Sequence, residues 1–362
     1  MARNGLGKNM AAALAAALLL ASCGTTGGGA DTRTEADIVY TKKPVSAAAL
    51  GVEGQANDAS FAALAAEAGR IAAESGVRVE LANEALDHYD DARVDERIEA
   101  WQAEGRDRLV ALSWFFQANV EAAAARHPEA RFAILEGGAT APNIVGVRFR
   151  EQEAAFVAGW AAALVAKDRG LPAVGFLGVL ENAFEVSLEA AFGAGARAAW
   201  PEVALEVYYL PESGAENREG KLAEALYARG AAAIVLSPYF YMTIPVLEAA
   251  ALRSASGDPR WVIGLIDDPR AFLGWNPQPN LLVSVTGKRT ALAVEALRLL
   301  AAEEFEGGRS VALGAAEGAW ELSTGNPPEG EPLVPELQSV LERLAADEFE
   351  LPDFPEERYL GR

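Results

Sequence analysis

Short apolar runs alternate with helical stretches along almost the whole of this 362-residue chain. "DIVYTK" (37–42), "RVELAN" (78–83), "RLVALS" (108–113), "RFAILEG" (131–137) and "NIVGVRF" (143–149) read as strands. Between them, residues 60–76, 94–105 and 117–128 carry apolar side chains at helical spacing. The rhythm resumes with a helix over 153–170, then strands at 173–179, 204–210, 231–237, 261–267 and 280–286, with helices at 184–199, 218–229, 244–256 and 289–303. Apolar strands separated by helices of about 10–15 residues predict βαβ units and parallel sheets covered on both faces. Two such runs, with a break near Pro142-Asn143, predict an α/β protein of two similar lobes, and the chain is long for a single core. Ligands bind such sheets at the carboxyl ends of the strands, so two facing lobes would enclose a cleft there.

The amino-terminal stretch reads differently. Arg3 and Lys8 precede an apolar run from Met10 to Ala21, which is short of the roughly 20 residues that span a bilayer. Leu20-Ala21-Ser22-Cys23 then resembles the lipobox of bacterial lipoproteins, so residues 1–22 are expected to be a signal peptide and Cys23 the lipidated new terminus. Residues 23–36, polar and glycine-rich, would be a flexible tether. Cys23 is the single cysteine, and a lipidated one cannot act as a nucleophile. His88 and His127 are the only imidazoles; His127 reads as a helix-end residue and His88 as part of an acidic loop. With no HExxH motif or Cys/His cluster, no transition-metal site is expected; without GxGxxG or Walker A sequences, neither is nucleotide hydrolysis. A net charge of −21 repels nucleic acid and anionic lipid alike, so membrane association would come through the lipid on Cys23.

Several segments carry a family resemblance. "NDASFAALAAEAG" (57–69) resembles the D-x-S-F-N motif of the basic membrane protein (Bmp/PnrA-like) family of ABC-transporter substrate-binding lipoproteins. Phe149, Glu153, Phe156, Val157, Ala158 and Gly159 match its F-x-x-x-E-x-x-F-L-A-G segment, and Gly175, Phe176, Gly178, Phe192, Gly195 and Pro201 its G-F-x-G…F…G…P pattern. "VIGLIDDP" (262–269) and "LLVSVTGK" (281–288) stand where the family has V-I-G-V-D-x-D-Q and V-L-T-S-x-x-K. The resemblance implies a type I periplasmic-binding fold, two Rossmann-like lobes joined by three crossings, acting as a receptor at the cell envelope for an ABC permease and ATPase. The family's ligands are mainly nucleosides, with riboflavin for some relatives. The expected lobes are 37–142 plus about 264–288, and 143–263 plus about 289–326, followed by a helix and tail over 327–362.

The chain departs from the nucleoside pattern at four places. Ala62 replaces an asparagine, Ile266 stands where a ribose-binding aspartate belongs with Asp267 one position late, Gly287 stands where the lysine belongs with Lys288 one late, and "YFYMTIP" (239–245) replaces a glycine-rich loop. A local bulge would restore Asp267 and Lys288. Strand ends carry the aromatics Trp114, Phe115, Tyr239, Tyr241 and Trp275, suited to stacking a planar heterocycle, while Asp58, Asp267 and Asp268 can accept hydroxyl hydrogen bonds. Asp58 could equally cap the helix expected from Ser60. The resemblance adds Phe61 and Lys288 to the candidate site. The extra ring surface at Tyr239–Tyr241 leans towards riboflavin over a purine nucleoside. No cofactor is implied and no enzyme is expected: adjacent Asp267 and Asp268 on a strand would face opposite ways, a poor catalytic pair. The alternatives are a sensor subunit signalling to a membrane receptor, or a hydrolase on the same fold.

Overall fold

The computed structural model describes residues 42–55, 57–210, 218–236, 243–270, 280–325 and 329–352. Cys23, Tyr239, Tyr241 and Trp275 lie outside the described residues. Two six-stranded sheets organise the described residues. The first has the order β11-β5-β4-β3-β1-β2, built from β1 (Val45–Val52), β2 (Val79–Leu86), β3 (Arg108–Ala111), β4 (Arg131–Leu135), β5 (Ile144–Phe149) and β11 (Arg309–Leu313), and is parallel throughout. The second has the order β12-β10-β9-β8-β6-β7, built from β6 (Ala173–Gly178), β7 (Ala204–Tyr209), β8 (Ala231–Leu236), β9 (Trp261–Ile266), β10 (Leu281–Gly287) and β12 (Trp320–Thr324); only β12 is antiparallel to its neighbour.

Every residue of β6, β8 and β9 is buried, as a strand covered by helices on both faces requires. Helix α1 (Asp58–Ser75) pairs with α8 (Arg289–Ala301), which packs across β3, β4 and β5; α2 (Asp91–Ala103) and α3 (Gln117–Arg126) complete this lobe. On the second lobe, α4 (Glu151–Arg169) lies over β6, β8, β9 and β10 and against α5 (Ala183–Ala199), while α6 (Arg218–Ala228) and α7 (Thr243–Ala255) pair with each other. The resemblance residues Gly159 and Gly195 explain themselves here. A Cβ on Gly159 would collide with the Phe192 carbonyl, and one on Gly195 with the Phe156 carbonyl, so α4 and α5 meet backbone to backbone. The last helix, α9 (Val334–Ala345), buries Leu337, Val340, Leu341 and Leu344 and docks on α4, where the Trp160 indole donates to Glu336 at 2.9 Å. Among the described residues no helix is long and apolar enough to cross a membrane.

The chain passes between lobes at Arg150, at Lys288 and through 314–319. These crossings are bonded together: Arg150 N donates to Leu313 O at 2.8 Å, and Lys288 N to Ala319 O at 2.8 Å. Phe149 and Trp320 pack beneath them with ring centroids 5.1 Å apart. The lobe boundaries expected from sequence therefore need correction. Pro142-Asn143 is not a crossing; it is a turn between β4 and β5, with Ile144 N donating to Ala141 O at 3.0 Å and the Asn143 amide donating to three carbonyls at the end of α3 and beyond, those of Ala124, His127 and Ala130. β5 stays in the first sheet, β9 and β10 belong to the second, and α8 and β11 return to the first, the reverse of the expected assignment for 264–288 and for most of 289–326. The first described strand is Val45–Val52; the strand expected over 37–42 lies, apart from Lys42, outside the described residues.

Candidate functional site

All three crossings leave from carboxyl ends of strands, β5, β10 and β11, so the carboxyl ends of both sheets meet beside them. After β1, the chain turns into α1. The helix begins at Asp58 itself, with Asn57 at the cap position, so Asp58 is an exposed first-turn carboxylate rather than the cap of a helix starting at Ser60. It suits the positive end of the helix. Asn57 and the half-buried Phe61 lie over Gly51, where a Cβ would strike both. After β3, Ser113 caps a single 3-10 turn over Trp114–Phe116 by accepting from Phe115 N at 3.3 Å. This turn presents Trp114, 53% exposed.

Trp114 and Phe115 are part of a longer row of rings. Trp114 lies 4.5 Å from Phe115, Phe115 stacks on His88 at 4.2 Å with planes 25° apart, and His88 lies 3.9 Å from Tyr89. His88 and Tyr89 follow β2, the neighbouring strand end across β1. The Nε2 of His88 is buried with no hydrogen-bond partner. His127, by contrast, is the C-cap of α3, as its position predicted, and it also pairs with Glu99 at 2.9 Å. In the second lobe, buried Glu185 accepts from Val179 N at 2.6 Å and Leu180 N at 3.1 Å, fixing the loop after β6 that exposes Leu180 and Phe184. Six large apolar side chains stand out as exposed among the described residues, and five of them follow strand carboxyl ends: Tyr89 and Trp114 in one lobe, Leu180, Phe184 and Ile244 in the other.

Where the sheets meet, Arg289 in the first turn of α8 joins the ends of β4 and β9. It donates to Glu136, which follows β4, through Nε and Nη2 at 3.2 Å each, and to Asp267, which follows β9, through Nη1 at 2.6 Å and Nη2 at 3.4 Å. Burial pulls the guanidinium pKa down, but Glu136 and Asp267 outweigh it and hold it above the usual arginine value. Neither Glu136 nor Arg289 was marked by the sequence. Asp267 is thus at the junction. Asp268 turns away from it and binds Arg270 and the Ser323 hydroxyl, the latter at 2.7 Å. Burial raises the Asp268 pKa, yet these bonds outweigh that and leave it lowered. Lys288 lies in the second crossing and donates its ammonium to Gly318 O at 3.0 Å. Glu151, at the start of α4, has its pKa pushed up to about 7, first by burial and then by the like charge of Glu136, against its own backbone N–H and Arg148.

A two-lobed α/β architecture with its crossings at the strand ends is the architecture of type I periplasmic binding proteins. The chain shares it with an ABC transporter solute-binding protein from Conexibacter woesei (TM-score 0.58, 23% identity, covering 86% of this chain and 100% of that one) and with one from Aeropyrum pernix (TM-score 0.56, 20% identity, 85% and 94%). Residues 45–353 match the Bmp family model, described as ABC transporter substrate-binding protein PnrA-like, and the chain belongs to that family. It is 25% identical over 226 residues to basic membrane protein A2 of Borrelia garinii, 61% of this chain and 64% of that protein. It is 26% identical over 176 residues to the ABC transporter nucleoside-binding protein BmpA of Lactococcus lactis, 48% of this chain and 49% of that protein. The chain thus spans less than two thirds of the length of either relative.

Proposed function

We propose that this chain is the substrate-binding lipoprotein of an ABC importer and captures a nucleoside between its two lobes without transforming it. The observation that carries the reading is the distribution of exposed apolar side chains: Tyr89, Trp114, Leu180, Phe184 and Ile244 all follow strand ends, on both lobes, where lobe closure would bury them against a planar ring. The strand carboxyl ends are where ligands bind sheets of this kind. Asp58 and Asp267 supply acceptors for hydroxyls at the same ends. The nucleoside is favoured over riboflavin because a relative is named a nucleoside-binding protein. The lean towards a flavin rested on Tyr239, Phe240 and Tyr241, which lie outside the described residues.

Calorimetric titration of the full chain with inosine, guanosine and riboflavin tests this. Tight binding of a nucleoside, recovered chemically unchanged, is the expected result. A yellow protein as purified that ignores nucleosides would make the ligand a flavin, and steady turnover of a bound nucleoside would end the receptor reading. The proposed anchor is a lipid on Cys23, facing the periplasm or cell exterior; Cys23→Ser should move the protein from the membrane to the soluble fraction.

A further inference from the structure

The guanidinium of Arg289 is occupied along two edges. Of its five N–H donors, Nε and one on Nη2 serve Glu136, and one on Nη1 and the other on Nη2 serve Asp267. Each of the four carboxylate oxygens accepts one of these bonds and keeps a further lone pair. Glu136 ends a strand of the first lobe and Asp267 a strand of the second, so a single planar group sets the separation of two strand ends on different lobes.

The backbone is bent to reach this arrangement from both sides. Three non-glycine residues among those described have positive φ: Glu136 at 59°, Ile266 at 67° and Asp347 at 54°. The first is one partner of Arg289, and the second immediately precedes the other. Asp267 N donates to Leu265 O at 2.8 Å, closing a three-residue turn around Ile266, a rare and strained form at positive φ. The turn answers the one-residue displacement of the aspartate in the sequence: it breaks the strand alternation at Ile266 and delivers Asp267 to Arg289.

We infer that Arg289 is the positioning residue of the cleft, holding Asp267 and Glu136 in place so that their open lone pairs accept the ligand's hydroxyls. The inference rests on the nucleoside reading above. A lysine at 289 would keep the charge but not the planar fork that aligns two carboxylates at once.

The experiment compares inosine with its dideoxy analogue, which lacks both ring hydroxyls of the ribose, on the full-chain wild type, Arg289→Lys and Asp267→Asn. The wild type is expected to favour inosine by roughly tenfold to a hundredfold, the range of one charge-assisted hydrogen bond. Arg289→Lys should erase most of that preference while leaving affinity for the dideoxy analogue within about threefold, and should add little to Asp267→Asn in the double variant. Equal weakening of both ligands by Arg289→Lys, or a preference that survives it, overturns the inference while leaving the nucleoside reading intact. A wild type that binds neither compound overturns the nucleoside reading and this inference with it. Arg289→Gln serves as a second variant: if it unfolds while Arg289→Lys folds and keeps the preference, the role of Arg289 is structural and the inference falls.

Discussion

The carboxylate of Glu153, one turn into the second lobe, accepts the indole N–H of Trp320 at 2.9 Å from the far side of the third crossing. The same oxygen accepts Ala315 N at 2.5 Å, while Arg150 stands 3.6 Å from the other. The group is 6% exposed, and Gly314 is a glycine where a Cβ would press on its oxygens. One buried carboxylate therefore fastens the start of α4 to the segment that returns the chain between lobes. Glu153→Gln keeps the shape but loses the charge and turns a donor towards donors. It should cost about 1–3 kcal/mol, the penalty of leaving buried partners unsatisfied, read as a lower urea midpoint at unchanged m-value. Stability unchanged within about 0.5 kcal/mol would remove Glu153 from this role.

Two helix glycines should respond oppositely to alanine. Alanine gains roughly 1 kcal/mol over glycine in a helix interior. At Gly69 on α1 a Cβ meets nothing within 4 Å, so Gly69→Ala should stabilise by about that amount. At Gly195 the added methyl would run into the Phe156 carbonyl of α4, backbone that cannot swing aside. Overpacking of about 1–3 kcal/mol exceeds the propensity gain, so Gly195→Ala should lower the thermal midpoint. A stabilised Gly195→Ala would show that α4 and α5 separate at little cost.

These residues also mark what was legible in the sequence. The βα rhythm and the two lobes could be read because each depends on spacing along the chain, and Phe156, Gly159, Phe192 and Gly195 through the family resemblance. The strand at 45–52 was missed because half of "VSAAALGV" is alanine and glycine, and its β-branched residues, Val45 and Val52, stand only at its two ends. The lobe exchange was misread because Pro142-Asn143 is a strong turn signal, while the true crossings at Arg150 and Lys288 follow strands without any Pro or Gly cluster. The Glu136–Arg289 pair joins residues 153 apart in sequence, and nothing local announces it. Asp267 was legible as a candidate, but its geometry depends on the positive φ of Ile266, a conformation isoleucine rarely adopts.

Glu151 should give stability an unusual pH dependence. Its pKa rises from an ordinary 4.5 to about 7 through burial, with Glu136 adding its like charge. A raised acid favours folding while protonated: the contribution is complete below about pH 4.5 and is lost as pH climbs through about 7. At 1.36 kcal/mol per pH unit the whole effect is about 3 kcal/mol. Glu151→Gln should therefore match the wild type at about pH 4 and exceed it by up to about 3 kcal/mol at about pH 8. Urea midpoints at the two pH values measure this, and a constant difference between wild type and variant across the range would show that Glu151 titrates normally.

The ring row at the edge of the first lobe yields the last prediction, because it separates packing from recognition. His88 stacks on Phe115 at 4.2 Å, and its Nε2 is buried without a partner. Left so, that nitrogen costs the folded state about 1–3 kcal/mol. His88→Phe keeps a ring in the row and removes the orphan, so it should raise the thermal midpoint of the ligand-free protein. Trp114, 53% exposed, loses little packing when truncated. Trp114→Ala should leave stability nearly unchanged while weakening binding of a stacked heterocycle by about 0.5–1.5 kcal/mol, the worth of one aromatic pair. If His88→Phe also weakens nucleoside binding, the unpartnered Nε2 is held for the ligand, a cost in stability kept for recognition. If it stabilises and binding is unchanged, His88 is a packing residue and recognition falls to the exposed rings of the row, Trp114 and Tyr89. Trp114→Ala binding as tightly as wild type would place the base elsewhere, against Phe61 or the Leu180–Phe184 loop of the facing lobe.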